Sequence, residues 1–351
     1  VLIGFLLVLA SVVGAGGWLV GRLLDPEAVR AAVERQATAA LGQPVRVGRI
    51  EWALSARPRV VLGDVRVGEP AAIQVQHVEL TTGLRALFSK RVEHAGLVVS
   101  GSRVTLPLPF SLGGPLPSGV PACAPDEAAE AAALAIVSVD DIALRDIELT
   151  VGAQRLVLQL GSSLVGKRLV VSRLRLTSDH SVIEGTGELP QVGVLRGRFT
   201  LSAERLDLDE LLTVASGISA SGSEAASTSP AADSPLDLQI DLTAAAGRAL
   251  GQEFSDLTAR FAVTRTGLVL DPIALNLLDG RLDGRLRVDT SQPQTVVTLQ
   301  AGIQGMDVAR LAALAGAQGA ITGRLGGQVR LQARADAAGV GLATTRGTAS
   351  L

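Results

Sequence analysis

The motif closest to a known catalytic signature is GSSLVGKR, from Gly161 to Arg168, which has the GxxxxGK spacing of a phosphate-binding loop. In such loops the glycines let backbone amides approach the phosphates, and a hydroxyl group after the lysine binds Mg²⁺. Arg168 stands at the hydroxyl position, and the following RLVVSRLRL alternates like a strand where a phosphate site needs a helix N-terminus. In this context the spacing favours a β-turn bounded by glycines, with Lys167 in solvent.

Other residue types that support catalysis show no productive arrangement in the sequence. The motifs GxGxxG and GxSxG do not occur, and no nucleophile is visibly accompanied by a base. Three carboxylates, Asp140, Asp141 and Asp146, alternate with aliphatic residues, which is more typical of the solvated side of a strand than of an acid–base pair. The sequence therefore predicts a protein that is not an enzyme and that binds no cofactor.

Transition-metal ligands are scarce, since the chain has three histidines, His77, His94 and His180, and one cysteine, Cys123. No two of them have the spacing of metal ligands, so we expect solvated or hydrogen-bonded histidines and no metal site. Cys123 lies in a proline-rich stretch and, as the single cysteine, cannot form an internal disulfide.

The composition is aliphatic and nearly neutral. The 351 residues are 47% hydrophobic but only 2% aromatic, and the mean hydropathy is +0.37. The formal net charge is −2 and the pI about 6.0, so the chain lacks the basic excess that phosphate backbones require. Stacking platforms for bases are also scarce because there is no tyrosine. Nucleic acid is therefore not an expected partner.

The N-terminal residues 1–21 carry no charge, and as a helix this run would span roughly 30 Å, the thickness of a hydrocarbon core. We interpret residues 1–24 as a transmembrane anchor, with Trp18 at the interface. The alternative is a secretory signal peptide cleaved near the small residues Gly14, Ala15 and Gly16. Its apolar core would be unusually long, so the pattern favours the anchor.

Residues 25–42, DPEAVRAAVERQATAALG, have the features of a short amphipathic helix. Asp25 is a suitable N-cap, and Gly42 can end the helix. The apolar positions at helical spacing that form one stripe are Val29, Ala32, Val33, Ala37 and Leu41.

After Pro44 the hydrophobic period changes from 3.6 to 2, which predicts a β region over residues 43–106. In PVRVGRIEWAL the phase shifts at Gly48 and Arg49, which indicates a bulge. Within this region TGLRALFSKR predicts a short helix with Leu84, Leu87 and Phe88 on one face.

Two segments of low complexity divide the remaining β pattern. Residues 107–135 form a loop rich in proline and alanine, and residues 215–235, rich in serine and alanine, form a flexible linker. The sequence predicts β repeats over residues 136–214 and 236–351.

Residues 169–189 and 268–288 resemble each other, with breaks at Asp179 and Asp279. Each continues into a strand with an apolar-Asp-apolar end and a short leucine-bearing turn, at 204–212 and 304–312. The period is about 100 residues, and units that bury one face need neighbours. The pattern predicts a mainly β fold with few short helices, built as an elongated, repeating antiparallel sheet.

The single anchor, the block ALGQPVRVGRIEWALSARPRVVLGDVRVGEP and the segments DGRLDGRLRV and MDVARLAAL resemble the AsmA family of bacterial envelope proteins. The resemblance extends over nearly the whole chain and implies an inner-membrane anchor, a periplasmic β-rich body with a curved apolar groove, and a role in phospholipid transport towards the outer membrane. It supplies no catalytic residues. The chain ends at ATTRGTASL within an expected strand, so the C-terminal part typical of the family is expected to be cut.

The stretch LNLLDGRLDGRLRVDT, residues 275–290, separates aliphatic from charged residues by strict alternation. Its charged side carries Arg281, Asp283, Arg285, Arg287 and Asp289, and its aliphatic side carries Leu282, Gly284, Leu286 and Val288. On the residues alone, the aliphatic side is either ordinary core or a surface for lipid.

With the resemblance, we expect an aliphatic trough for phospholipid acyl chains, lined by Leu174, Leu176, Leu282, Leu286 and Val288. A noncatalytic scaffold or assembly factor for outer-membrane proteins is the alternative, and envelope proteins are possible partners in either case.

The anchor interpretation predicts the topology. Protease added to spheroplasts should digest the body from Asp25 onward while cytoplasmic marker proteins stay intact, because the body lies outside the inner membrane. Immunoblots against the body and against a cytoplasmic marker measure this. Full protection of the body contradicts the topology, and a soluble mature protein without residues 1–21 supports a cleaved signal peptide instead.

Overall fold

The computed structural model describes residues 26–53, 57–69, 71–83, 91–92, 94–106, 108, 135–136, 138–191, 196–211, 213–214, 236–249, 251–291, 295–314, 322–335 and 346–350. Several predictions lie outside these residues. They are the anchor at 1–24, the short helix at 84–90, most of the loop at 107–135 with Cys123, and the linker at 215–235. Among the described residues, no helix is long and apolar enough to cross a membrane.

Strands dominate the described part of the chain, which confirms the mainly β class with few short helices. Helix α1 is Pro26–Leu41 and helix α2 is Val308–Leu314, and residues 208–211 and 213–214 are also helical. The strands are β1 (Val45–Ala53), β2 (Arg59–Val67), β3 (Ile73–Thr81), β4 (Arg91–Val92), β5 (Ala95–Leu106), β6 (Ala135–Ile136), β7 (Ser138–Val151), β8 (Gln154–Val165), β9 (Arg168–Thr177), β10 (Val182–Leu189), β11 (Arg196–Asp207), β12 (Asp237–Ala249), β13 (Gln252–Thr264), β14 (Gly267–Leu277), β15 (Gly280–Asp289), β16 (Thr295–Asp307), β17 (Arg324–Ala335) and β18 (Arg346–Ser350).

The described residues divide into two compact units. Unit 1 contains the described residues up to Asp179 together with 213–214, and its main sheet has the order β1-β2-β3-β5-β7-β8-β9. Unit 2 contains 180–211 and the described residues from 236 onward, and its strands β10 to β18 follow in chain order. The division at Asp179 lies inside the segment 136–214 that the sequence suggested as one repeat.

Most neighbouring strands are antiparallel, as predicted, but the prediction is wrong for the two-residue strands β4 and β6, which pair in parallel in a separate small sheet, and for two pairs of longer strands. β5 pairs with β7 in parallel, and β11 pairs with β12 in parallel. An antiparallel neighbour needs only a short hairpin, whereas a parallel neighbour needs a connection long enough to return the chain to the same end of the sheet. The two parallel pairs are the ones separated by the two low-complexity segments of the sequence.

In unit 1 the buried residues of five strands change phase at the same level of the sheet. Consecutive inward residues are three positions apart instead of two at Val47–Ile50, Leu62–Val65, Val75–Val78, Val99–Ser102 and Leu144–Ile147. The steps face one another in register, from Ile50 opposite Leu62 through to Ser102 opposite Ile147. Because both strands of each pair change phase at the same place, the register of these four pairs does not shift there.

Left-handed residues explain several of these three-residue steps. Asp64, Gly101 and Asp146 have φ of 55°, 64° and 53°, and one such residue in a strand rotates the side chains that follow it. At Gly101 the positive φ is the conformation that glycine adopts without steric cost.

The bulge predicted at Gly48 and Arg49 is therefore a phase change without a register shift, because β2 makes the matching step opposite it. The pairing does shift between β7 and β8, where Leu144 pairs with Leu160 and Ile147 with Leu158. There two residues of β7, Arg145 and Asp146, are opposite Gln159 alone, and this one extra residue is the arrangement of a β-bulge.

Unit 2 repeats the same device in strands on both sides of the linker. Its steps are Ala203–Leu206 in β11, Ala244–Gly247 in β12, Phe254–Leu257 in β13, Leu275–Leu278 at the end of β14 and Ile303–Met306 in β16. Left-handed residues occur at Asp256, Leu278 and Gly305. The ladder from β11 through β12 to β13 again keeps its register.

The predicted repeat of about 100 residues is confirmed in local detail. β11 ends at Asp207 and β16 at Asp307, and each carboxylate accepts a hydrogen bond from the amide three residues later, at 3.0 Å from Glu210 and 3.1 Å from Arg310. Each aspartate is thus the N-cap of the helical turn that follows it. The amide of each aspartate also donates a hydrogen bond to an earlier turn. Asp207 donates to Ser181 Oγ, and Asp307 donates to the carbonyl of Leu278.

Helix α1 occupies the segment predicted as amphipathic and attaches to the edge strand β1. The amide of Val45 donates to Thr38 Oγ1 at 3.0 Å, and the amide of Val47 donates to Glu34 Oε1 at 2.7 Å. Glu34 and Thr38 are four positions apart on a helix, and Val45 and Val47 are two apart on a strand. Both separations are about 6 Å, so the two acceptors match the two amides. The predicted stripe residues Val33, Ala37 and Leu41 are buried.

We expect the double substitution Glu34→Ala/Thr38→Val to lower the free energy of unfolding by about 2–4 kcal/mol, because it removes one neutral and one charge-assisted acceptor. Urea denaturation monitored by circular dichroism measures the loss. Arg35→Ala, on the exposed side of the same helix, is the control and should change stability by less than about 0.5 kcal/mol. Equal stability of the double variant and the control contradicts the attachment.

Candidate functional site

The alternation in β15 places the predicted trough residues on one face of the strand. Leu282, Leu286 and Val288 are half-buried. On the opposite face Arg281, Arg285 and Arg287 are exposed, and Asp283 is half-buried.

The aliphatic side of β15 continues across the neighbouring strands. Leu286 is opposite Leu270 in β14 and Leu299 in β16. The same row continues outward to Phe261, Ile240 and Phe199 on one side and to Leu331 on the other. Rows through Leu282 and Val288 are also aliphatic, with Leu275 and Ile303 or Leu268 and Val297 as partners.

We name this surface the apolar face. It comprises Phe199, Leu201, Leu238, Ile240, Leu242, Phe261, Val263, Leu268, Leu270, Ile273, Leu275, Leu282, Leu286, Val288, Val297, Leu299, Ile303, Val329 and Leu331.

The apolar face is less buried than the core of unit 1. Among the described residues, the eleven largest fully buried side chains all belong to unit 1 except Leu206. On the apolar face most side chains are half-buried, and Leu331 is 37% exposed. Apart from its strands, the regular structure described within unit 2 consists of helix α2 and the helical residues 208–211.

Close backbone approaches hold the aromatic residues of unit 2 in place. A Cβ on Gly187 would lie 2.2 Å from Cδ1 of Phe199, its register partner, so the ring lies directly over the glycine. Phe254 covers Gly247 in the same way, with a distance of 2.3 Å to Cζ. A ring packed on a cross-strand glycine covers backbone that would otherwise be exposed.

The opposite face of the same strands is polar and bonded across the ladder. Arg260 Nε donates to Asp241 at 2.6 Å, and Arg285 donates to Gln300 Oε1 at 2.7 and 3.0 Å. The hydrogen bond and the charge of Asp241 raise the pKa of Arg260. Ion pairs this exposed contribute little to the stability of the fold. The polar side chains mainly keep this face of the sheet solvated.

The other two predicted trough residues, Leu174 and Leu176, lie on β9 in unit 1. Leu174 is half-buried opposite Leu160. Leu176 packs against the buried cluster of Val151, Leu156 and Val214. The chain's own side chains therefore already contact Leu176.

The GxxxxGK segment forms a hairpin between β8 and β9. Val165 pairs with Arg168, and the two residues between them are Gly166, with φ 62°, and the exposed Lys167. Strands precede and follow the turn, which confirms the predicted β-turn with a solvated lysine. No helix N-terminus follows the lysine.

The other side chains that could take part in catalysis or metal binding are dispersed. Asp140, Asp141 and Asp146 are exposed, and Asp140 lies 2.8 Å from Nδ1 of His94. His77 Nε2 lies 3.6 Å from Glu79. Within the described residues, no three side chains of His, Cys, Asp or Glu are grouped so as to hold a metal ion.

No family model, no curated protein and no solved structure matches the chain. The resemblance to the AsmA family therefore stays a prediction.

Sequence reasoning missed the part of the apolar face that β11, β12 and β13 contribute. Phe199, Ile240 and Phe261 each alternate with polar residues, and this signal was available in the sequence. Their meeting in one row with Leu286 depends on strand register, which alternation alone does not supply.

We expect Gly187→Val to lower the free energy of unfolding by about 1–3 kcal/mol, because the new side chain overlaps the ring of Phe199. Urea denaturation measures the change. Gly83→Ala is the control, since no atom lies within 4 Å of a Cβ at that position. In Gly187→Val/Phe199→Ala the added cost of the valine should largely disappear relative to Phe199→Ala alone, and a full, additive loss contradicts the ring contact.

Proposed function

We propose that this protein holds phospholipid acyl chains on the apolar face of unit 2 and contributes to phospholipid movement towards the outer membrane of a bacterium. In this proposal residues 1–21 anchor it in the inner membrane and the body lies in the periplasm. The protein acts by binding, without catalysis. The location and the direction of transport rest on the charge-free N-terminal run and on the resemblance to the AsmA family.

The observation that carries the proposal is the half-buried state of a continuous aliphatic surface. Leu282, Leu286 and Val288 and their row partners in β14 and β16 lie side by side in register. A contiguous apolar patch of this kind is uncommon on a monomeric soluble protein and marks a binding surface.

The residue types favour an acyl chain over a folded protein as the occupant. Protein interfaces concentrate their binding energy in tryptophan, tyrosine and arginine anchors. The apolar face carries leucine, isoleucine, valine and two phenylalanines, and the chain has no tyrosine. A surface without polar markers holds methylene groups at about 0.8 kcal/mol each and does not select among headgroups.

The dimensions also suit a lipid. The row from Phe199 to Leu331 crosses β11 to β17, which is roughly 30 Å at about 4.8 Å per strand. One leaflet of a hydrocarbon core is roughly 15 Å deep, so the row is long enough for an extended acyl chain. The charged side of the same strands, with Arg260 bonded to Asp241, stays in water.

The test is the phospholipid that copurifies with the full chain, measured by mass spectrometry per mole of protein. We expect Leu282→Asp/Leu286→Asp to reduce it to background, because carboxylates on the apolar face repel acyl chains. Arg285→Asp/Arg287→Asp adds the same groups to the same strand on its polar face and should retain the wild-type amount.

A milder variant separates loss of binding from loss of fold. Leu282→Thr/Leu286→Thr removes apolar surface while retaining residues that favour strands, and circular dichroism checks that the variants fold. Unchanged phospholipid in folded leucine variants overturns the proposal, as does a wild-type protein that carries none. In that event a scaffold role for outer-membrane proteins becomes the better explanation of the apolar face.

A further inference from the structure

A separate cavity of 1130 Å³ lies at one end of the strands of unit 2. It includes the end of β11, the β12–β13 and β14–β15 turns, the β16–α2 junction and the start of β17. None of Leu282, Leu286 and Val288 lines it. The cavity is therefore not part of the lipid-binding surface proposed above.

Arginine is the most frequent charged residue in the lining. Arg205, Arg248, Arg281, Arg310 and Arg324 contribute five guanidinium groups, against the three carboxylates of Asp207, Glu253 and Asp279. The excess of two positive charges contrasts with the chain's formal net charge of −2.

Two of the three carboxylates are already engaged. Asp207 Oδ1 accepts the amide of Glu210 at 3.0 Å, and Asp279 lies 3.2 Å from Nη1 of Arg310. Within the described residues, Arg310 is the one arginine of the five that has a carboxylate within 4.0 Å. Five guanidinium groups around one space that holds three carboxylates leave an excess of positive charge, and an anion in that space offsets this excess.

We propose that this cavity binds a phosphoryl group. A guanidinium presents a planar fork of donors that matches two phosphate oxygens at once, and Arg205, Arg248, Arg281 and Arg324 offer several such forks from different strands. The residues sit at strand ends fixed by the ladder, so their backbones are positioned before the anion arrives.

The test measures binding of inorganic phosphate to the full chain by isothermal titration calorimetry, at constant ionic strength maintained with chloride. We expect Arg205→Gln/Arg281→Gln to weaken binding on the order of tenfold for each guanidinium removed. Arg287→Gln is the matched control, because it removes the same charge from the same strand as Arg281 but lies outside the cavity. Circular dichroism confirms that all variants fold, and Arg248→Gln provides a second, single substitution with the same expected direction.

The source of the phosphoryl group is read from a second titration with dihexanoyl phosphatidylglycerol, a soluble short-chain phospholipid. Competition with inorganic phosphate assigns the site to a lipid headgroup, and absence of competition assigns it to free phosphate; both support the site. Equal phosphate affinity of the cavity variants and Arg287→Gln overturns it, as does a wild-type chain that binds neither probe. Phosphate binding is measured without copurified lipid, so failure of the acyl-chain proposal leaves this result independent.

Discussion

The sheet depends on one constraint, which is that each strand must present its apolar residues on the same face as its neighbours. Because strand side chains alternate with a period of two, a change of phase in one strand would turn its remaining apolar residues to the polar side. The chain meets this constraint by making the change in several strands at one level. The step Leu62–Val65 in β2 pairs with the step Val47–Ile50 in β1. On its other side it pairs with the step Val75–Val78 in β3.

The same device supports different degrees of burial in the two units. In unit 1 the side chains beside the step, such as Leu62, Val65 and Ile147, are 1% exposed or less. In unit 2 the corresponding three-residue steps include the buried side chains of Leu206 and Met306. The remaining parts of these strands carry the half-buried apolar face. A buried core in unit 1 and a half-buried apolar surface in unit 2 thus arise from one pattern of alternation.

Much of this architecture could be predicted from the sequence because alternation is a local signal. The phase change at Gly48 and Arg49, the helix with Val33, Ala37 and Leu41 inward, and the aspartates that end β11 and β16 were all visible there. The hairpin at Gly166 and Lys167 was also predicted, since a strand pattern flanks it on both sides.

The parts that could not be predicted depend on which strands meet. Nothing in the alternation of β5 or β11 indicates a parallel partner beyond a low-complexity segment. The ring of Phe199 over Gly187 and the row that joins Phe199 to Leu286 follow from register, which is a property of pairs of strands. The five arginines of the cavity are spread over more than 100 positions, so only the fold brings them together.

The two parallel pairs have a consequence for how this chain tolerates variation in length. A hairpin ties its strands through a turn whose length fixes their register, as Gly166 and Lys167 do between β8 and β9. The connections from β5 to β7 and from β11 to β12 fix no register, because each spans a strand's length with residues to spare. Doubling such a connection adds only about 0.6 kcal/mol of closure entropy. In these two connections the chain can gain or lose residues while every strand keeps its pairing.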